Sequence, residues 1–147
     1  MQKDRTAYEA ALHLLKYKSQ STYELKKKLK DRKFAEEDIK KAISKLADYG
    51  YVNDQALAEE LFENYKTRAV YGDSYIQRKI QSKGLHIDKH LTFEEETYAA
   101  IKVLKNKMKI MDTFPKSYKS AAAMLYRRGF SASVISFALN ELNISDF

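Results

Sequence analysis

A six-residue pattern that recurs three times along the chain most restricts its possible folds. Each copy opens on Leu or Ile, continues with four residues that are mostly polar, and closes on Phe or Leu; we call the copies at 29–34, 80–85 and 125–130 the landmark segments. They start 51 and then 45 residues apart, which is the period of proteins built from repeated supersecondary units. Eight residues before each copy stands a plausible helix start, namely Ser21, Gly72 and Ser117.

Apolar periodicity predicts that each unit is built from helices. Three apolar residues recur at helical spacing after the first landmark segment and three more at the same offsets after the third: Ile39, Ile43 and Leu46, then Ile135, Leu139 and Leu142. Ser21 and Glu24 have the spacing of a capping box, in which two side chains bind free amides at a helix start. Gly50 predicts the end of the third helix. With four glycines and one proline in 147 residues, few other breaks are expected.

These patterns predict an all-α fold of tandem three-helix repeats, each similar to a helix-turn-helix. We expect the repeats at 1–50, 51–91 and 92–147. In the second repeat the third helix should be short or missing. The positions that are apolar in the other two repeats are here occupied by His90, Glu94 and Thr97. A long helix should begin near Phe93 instead. Each unit alone buries little apolar surface, so stacking is expected to give an elongated, curved body.

Composition limits the possible functions. The formal net charge is +7 and the pI about 9.4, so a nucleic acid or an acidic protein surface is a plausible partner. The chain has no cysteine, which excludes disulfides and thiolate metal sites and suits a reducing cytoplasm. No apolar run reaches the roughly 20 residues of a membrane span, and the start of the chain lacks the pattern of a signal peptide. We therefore expect a cytoplasmic protein that does not bind membranes.

Patterns typical of catalysis or metal binding are weak. His86 and His90 have the i, i+4 spacing of a helical metal pair, but no further ligand clusters near them. The sequence has no glycine-rich phosphate loop and no nucleophile elbow. Sequence-specific DNA reading is disfavoured too, because the third helix of the first unit starts with the acids of residues 36–38, where phosphates would have to approach. We predict no enzyme, no cofactor and no metal site.

The strongest charge pattern is a basic helix in the first unit. Lys26, Lys30 and Lys33 follow an i, i+4, i+7 spacing and are predicted to share one helix face. Such a face suits phosphate or an acidic protein surface, but it is also typical of a solvated helix, and the sequence leaves both interpretations open. The eleven tyrosines likewise allow two interpretations. We favour packing at the boundary between thin cores and water, and the alternative is stacking on single-stranded nucleic acid.

Four short motifs follow one another along the chain. They are Lys18 with Ser21-Thr22-Tyr23-Glu24-Leu25, then Tyr49-Gly50-Tyr51-Val52-Asn53-Asp54, then Lys66, Arg68 and Gly72 with Lys83-Gly84-Leu85, and last Tyr126-Arg127-Arg128-Gly129-Phe130. In this order they resemble the motifs of the RecX family, whose members regulate the RecA recombinase. The chain departs from the family pattern at Asn53, where Asp is usual, at Lys33, where Gly is common, and over residues 85–114.

The resemblance implies a protein that lodges in the groove of the RecA–single-stranded DNA filament. There it would inhibit ATP hydrolysis, filament growth and strand exchange, and so act in homologous recombination, DNA repair and the SOS response. DNA contacts would be weak and mainly to phosphates, no cofactor is implied, and we expect a monomer. The alternative is a nonspecific DNA-binding helical module that does not inhibit the recombinase.

Two sets of residues follow from the charge pattern and the motifs. The residues expected to contact the partner or DNA are Lys18, Lys26, Lys30, Lys33, Lys66, Arg68, Arg78, Lys83, Arg127 and Arg128. Those expected to serve the structure are Ser21, Glu24, Leu25, Tyr51, Asp54, Gly72, Gly84 and Gly129. Asp54 in particular should cap or hold the helix that begins near Asn53.

Overall fold

The protein is built from α-helices. The structure, a computed structural model, describes residues 5–110 and 118–144. Within these ranges the chain forms eight helices and no strand, which confirms the all-α prediction. The helices are α1 (Ala7–Leu15), α2 (Thr22–Asp31), α3 (Glu36–Asp48), α4 (Asp54–Arg68), α5 (Asp73–Ser82), α6 (Phe93–Ile110), α7 (Tyr118–Arg127) and α8 (Ala132–Glu141). The division into three repeats stays a prediction.

Residues 83–92, between α5 and α6, form no helix. Ile87 is nevertheless buried, and it belongs to the first of the two units described below. Helix α6 begins at Phe93, where the sequence predicted a long helix, and runs for 18 residues. Ser117, the predicted start of the next helix, lies outside the described residues. None of the described helices combines the length and the apolar character needed to cross a membrane.

The helices form two compact units, each with its own core. The first unit comprises Met1–Glu60 and Ile80–Ile87, and the second Leu61–Lys79 and Asp88–Phe147. In the first, α1, α2 and α3 pack together; its core side chains include Ala10, Ala11, Leu25, Leu29, Ile43 and Leu46. In the second, α6 and α7 pack on α8; its core includes Leu104, Leu125, Val134 and Leu139. Burying one Leu or Ile side chain stabilises the folded state by about 1.5–3 kcal/mol. The stability of each small core therefore depends on a few such residues.

Each landmark segment is a helix end closed by a Schellman motif. In the first, the N–H of Phe34 donates to the carbonyl of Leu29 at 3.3 Å and the N–H of Lys33 to that of Lys30 at 2.9 Å. The motif requires a residue in the left-handed conformation just before the closing apolar residue, and Lys33 has a φ of 71°. The recurring Leu and Phe are therefore the two apolar ends of one helix-closing turn.

The other two landmark segments are closed in the same way. The N–H of Leu85 donates to the carbonyl of Ile80, and the N–H of Phe130 to that of Leu125, both at 3.2 Å. Gly84 and Gly129 occupy the left-handed position, with φ of 72° and 88°. Gly50 ends α3 with the same geometry, as predicted, at a φ of 77°.

The glycine turns pack directly against the start of another helix. The carbonyl of Lys83 accepts a hydrogen bond from the hydroxyl of Ser21, which precedes α2. The carbonyl of Arg128 accepts one from the N–H of Gly72, which precedes α5, at 2.8 Å. A Cβ at Gly84 would overlap the side chain of Tyr23. Glycine is thus required there for its conformation and for its lack of a side chain.

The turn at Gly129 also has no space for a side chain, and the turn at Lys33 does. A Cβ at Gly129 would overlap the backbone of Tyr75, and one at Gly72 the backbone of Gly129 itself. Lys33, in contrast, is exposed to solvent. Its side chain has room, and only the left-handed backbone opposes it. This explains how lysine can stand at a position where the other two turns have glycine.

The capping box predicted at the start of α2 is confirmed. The hydroxyl of Ser21 accepts from the N–H of Glu24, and the Glu24 carboxylate accepts from the N–H of Ser21, both at 3.0 Å. Glu24 also forms an ion pair with Lys83 at 3.4 Å. Although burial raises the pKa of Glu24, the hydrogen bond from Ser21 and the charge of Lys83 outweigh it and leave the pKa below its ordinary value.

Asp54 stabilises a different helix from the one expected. The cap of α4 is Asn53, whose side-chain oxygen accepts from the N–H of Ala56 at 3.0 Å. The Asp54 carboxylate instead accepts from the N–H of Thr22 at 2.9 Å and from its hydroxyl at 2.7 Å. It satisfies a free amide in the first turn of α2 and places a negative charge at that end of the helix dipole. The expected cap on α4 was therefore wrong.

The three turns predict opposite effects of matched substitutions. Replacing Gly84 or Gly129 by Ala should lower the free energy of unfolding by more than about 2 kcal/mol, because left-handed strain costs about 1–2 kcal/mol before any overlap is relieved. Replacing Lys33 by Gly should leave stability unchanged or raise it by up to about 1 kcal/mol. Urea unfolding followed by circular dichroism measures all three. Equal effects at the three positions would contradict this account.

The contact between α2 and α4 predicts the effect of removing Asp54. The Asp54→Ala variant should lose about 0.5–2 kcal/mol of stability, the usual value of a helix cap. The Asp54→Asn variant keeps one oxygen acceptor and should recover part of the loss. Thermal unfolding of both variants tests this, and an unchanged melting temperature together with lost partner binding would assign Asp54 to the partner instead.

Candidate partner-binding surfaces

Three of the ten predicted contact residues form contacts with other groups of the chain. Lys66 forms an ion pair with Glu95 at 2.8 Å, and this hydrogen bond raises the pKa of the lysine. Lys83 pairs with Glu24. The guanidinium of Arg128 donates to the carbonyl of Val70 at 3.2 Å. These three charges contribute to the fold and are less available to a partner.

The other seven predicted contact residues are exposed. They are Lys18, Lys26, Lys30 and Lys33 in the first unit, and Arg68, Arg78 and Arg127 in the second. Arg68 lies near the rings of Tyr65 and Tyr71, at 5.7 and 5.9 Å from their centres. Arg78 donates weakly to the carbonyl of Ser74 at 3.4 Å. Their charged groups therefore remain accessible to a ligand.

In the first unit, a small cavity lies between α2 and α3, and we call it the α2–α3 cleft. It has a volume of about 200 Å³ and is lined by Lys26, Lys30, Phe34, Glu36, Ile39 and Lys40. Lys33 is not part of it, because α2 ends at Asp31 and Lys33 lies beyond that end. The expected shared helix face was therefore wrong for Lys33. Sequence reasoning missed Lys40, whose position depends on how α3 packs against α2.

The second unit contains a larger open cavity of about 1410 Å³, the α5–α7 cleft. Its basic residues are Arg78, Lys119 and Arg127. Tyr126 lies on its rim with 73% of its surface exposed. The structure thus brings two of the predicted contact residues, Arg78 and Arg127, to one cavity together with a lysine that the sequence did not single out.

Two acids also line the α5–α7 cleft and hold the start of α5. Glu96, only 9% exposed, accepts from the N–H of Asp73 at 3.1 Å. Burial raises the pKa of Glu96, and the neighbouring Asp73 charge adds to the effect. Asp73 in turn accepts from the N–H of Leu91 at 2.8 Å and from Nδ1 of His90 at 2.7 Å. His90 therefore has a structural partner in Asp73.

The tyrosines divide between the two interpretations left open by the sequence. Tyr71 and Tyr75 stack on each other with ring centres 3.9 Å apart, and Tyr65 meets both edge-on. These half-buried rings pack the second unit, as the favoured interpretation predicted. Tyr17 and Tyr126 are 75% and 73% exposed, so their ring faces could still stack on a ligand.

Three of the residues predicted to serve the structure, Leu25, Gly72 and Tyr51, differ in their burial. Leu25 is fully buried in the first core, and Gly72 is buried at the start of α5. Tyr51 is 58% exposed. Its N–H donates to the carbonyl of Leu46 at 2.9 Å and closes α3, so its backbone rather than its ring serves the fold.

Comparison with known sequences gives a consistent set of relatives. Residues 7–46 match the family model described as RecX, first three-helix domain. The chain is 31% identical to the regulatory protein RecX of Bacillus subtilis strain 168, an alignment that covers 94% of this chain and 55% of that protein. It is 30% identical to the regulatory protein RecX of Legionella pneumophila strain Corby, covering 95% of this chain and 96% of that one. The chain thus spans about half the length of the Bacillus relatives it matches and nearly all of the Legionella protein.

Solved structures show the same fold. The crystal structure of RecX from Lactobacillus salivarius superposes with a TM-score of 0.76 and 23% identity, covering 93% of this chain and 94% of that one. A second crystal structure, of a regulatory protein RecX, superposes with a TM-score of 0.79 and 24% identity, covering 91% and 71%. At this level of identity the likeness concerns the arrangement of the helices.

The pair formed by Asp73 and His90 predicts a pH dependence of stability. The hydrogen bond from His90 to the Asp73 carboxylate, with Asp88 nearby, raises the pKa of the histidine above its ordinary value of 6.5. Its stabilising contribution is therefore complete below pH 6.5 and is lost as the pH rises through the raised value. The melting temperatures of wild type and His90→Gln should differ in mildly acidic buffer and converge in alkaline buffer. A difference that does not change with pH would refute the charged pair.

Proposed function

The chain belongs to the RecX family, and we propose that this regulator acts on the RecA recombinase by binding the groove of the RecA–single-stranded DNA filament. Bound there, it inhibits ATP hydrolysis, filament growth and strand exchange. The observation that carries the proposal is the alignment with the Legionella pneumophila regulatory protein RecX, which extends over 95% of this chain and 96% of that protein. The proposal implies a cytoplasmic monomer that works without a cofactor in homologous recombination, DNA repair and the SOS response.

Exposed cations in both units support an electrostatic mode of binding. Lys26 and Lys30 line the α2–α3 cleft, and Arg78 and Arg127 line the α5–α7 cleft. A filament of protein on DNA offers phosphates as well as protein carboxylates, and both attract such side chains. Because exposed ion pairs contribute only about 0–1 kcal/mol each, tight binding requires several of them at once.

A second candidate function is nonspecific binding of single-stranded DNA without inhibition of the recombinase. It is favoured by the α5–α7 cleft, where Arg78, Lys119 and Arg127 accompany the exposed ring of Tyr126. Cations that follow the backbone and aromatic rings that stack on bases are the usual elements of such sites. Affinity for oligo(dT) that falls steeply with salt, combined with no effect on RecA, would favour this alternative.

Charge reversal in the first unit tests the proposed function. Wild type should suppress the DNA-dependent ATPase of RecA and strand exchange at concentrations below that of RecA. The variant in which Lys26, Lys30 and Lys33 are all replaced by Glu should inhibit far less than any single variant, because several weak ionic contacts are lost together. Suppression by wild type should also weaken as salt rises.

The matched control reverses three lysines that line neither cleft. Lys41, Lys105 and Lys109 are exposed, and replacing them by Glu produces the same change in net charge. This control should inhibit RecA nearly as well as wild type, and circular dichroism should show both variants folded. Full inhibition by the folded Lys26, Lys30, Lys33 variant would remove this surface from the mechanism. No inhibition by wild type of RecA from the same organism would refute the proposed function.

A further inference from the structure

We propose that the α2–α3 cleft binds an acidic protein segment that inserts one apolar side chain. The inference rests on the proposed function only for the identity of the partner, because the recognition itself follows from the chemistry of the cleft. Its elements are two apolar residues, three lysines and a single acid.

The floor of the cleft has the size and character of a site for one side chain. Phe34 is half-buried and Ile39 is 6% exposed, and both line the cavity. A volume of about 200 Å³ is below the roughly 300–1,000 Å³ of pockets that enclose drug-sized ligands. It therefore suits a single aliphatic or aromatic side chain better than a nucleotide or a cofactor.

The rim carries charge that the protein does not neutralise. Lys26 and Lys30 approach from α2 and Lys40 from α3, while Glu36 is the one acid that lines the cleft. Among residues 5–110 and 118–144, none of the three lysines takes part in an ion pair. A lysine side chain can lay its aliphatic stem along an apolar surface and keep its ammonium group in water. Carboxylates flanking an inserted apolar side chain would meet these ammonium groups.

The position of Glu36 favours a peptide over a nucleic acid. A nucleic acid strand carries a charge on every nucleotide, so a strand crossing the cleft would bring a phosphate toward this carboxylate. Glu37 and Asp38 follow it in the first turn of α3 and add to the repulsion. A peptide can place carboxylates beside the lysines and a neutral residue beside Glu36. Stacking of bases would also need an exposed ring face, and Phe34 is half-buried.

Fluorescence polarisation with the full chain and synthetic probes tests the proposal. The probe is a labelled peptide of alternating Asp and Ser residues with one central Phe, and the matched probe has Ala in place of that Phe. The Phe peptide should bind at least about tenfold more tightly, since burying such a side chain is worth about 1.5–3 kcal/mol and 1.4 kcal/mol is tenfold. The variant with Lys26, Lys30 and Lys40 replaced by Glu should lose binding, and Glu36→Gln should strengthen it. The control with Lys41, Lys105 and Lys109 replaced by Glu should bind as wild type does.

Other outcomes would overturn the proposal. Equal affinity for the Phe and Ala peptides would show that the floor takes no side chain. Labelled oligo(dT) that binds more tightly than the peptide and is lost in the Lys26, Lys30, Lys40 variant would make the cleft a phosphate site. Failure of the peptide to bind, with RecA still inhibited by wild type, would refute the cleft assignment and leave the proposed function standing. Peptide binding without inhibition of RecA would support the cleft and refute the proposed function.

Discussion

Both units of this protein depend on the close packing of a helix-closing turn against the start of another helix. In the first unit the turn at Gly84 lies on the start of α2, and in the second the turn at Gly129 lies on the start of α5. At each contact a carbonyl of the turn accepts a hydrogen bond at the helix start, which satisfies two polar groups in one step. The backbones can approach this closely only because glycine has no Cβ. Segments 62 residues apart in the sequence, Ser21 and Lys83, are joined in this way.

The same contacts determine which charges remain for a partner. Lys83 and Arg128 occupy equivalent positions in their landmark segments, and both are engaged in contacts within the chain, with Glu24 and with the carbonyl of Val70. The equivalent residue of the first landmark segment, Arg32, is exposed. Basic residues at matching places in the sequence thus have different roles, because only two of the three turns are packed. The contacts of each basic residue therefore show whether its charge stabilises the fold or remains for a partner. The number of basic residues alone does not.

The sequence predicted what depends on neighbouring residues and missed what depends on distant ones. The capping box of Ser21 and Glu24 spans three residues, and the left-handed turn at Gly50 follows from one, so both were predictable. The bond between Asp54 and Thr22 joins residues 32 apart, and local propensity assigned Asp54 to the wrong helix. The sequence placed Lys26 and Lys30 on one helix face but gave no sign of the cleft for the same reason, since Lys40 belongs to the next helix.

Lysine at position 33 connects the architecture of the first unit with its proposed binding role. A left-handed lysine is strained by about 1–2 kcal/mol relative to an ordinary conformation, and its Cβ prevents the turn from packing as those at Gly84 and Gly129 do. Lys33 is exposed to solvent in this turn. The turn directly follows α2, the helix that supplies two of the lysines of the α2–α3 cleft. At Lys33 the first unit thus has an exposed cation and no glycine contact, which is compatible with the proposed recognition of an acidic surface.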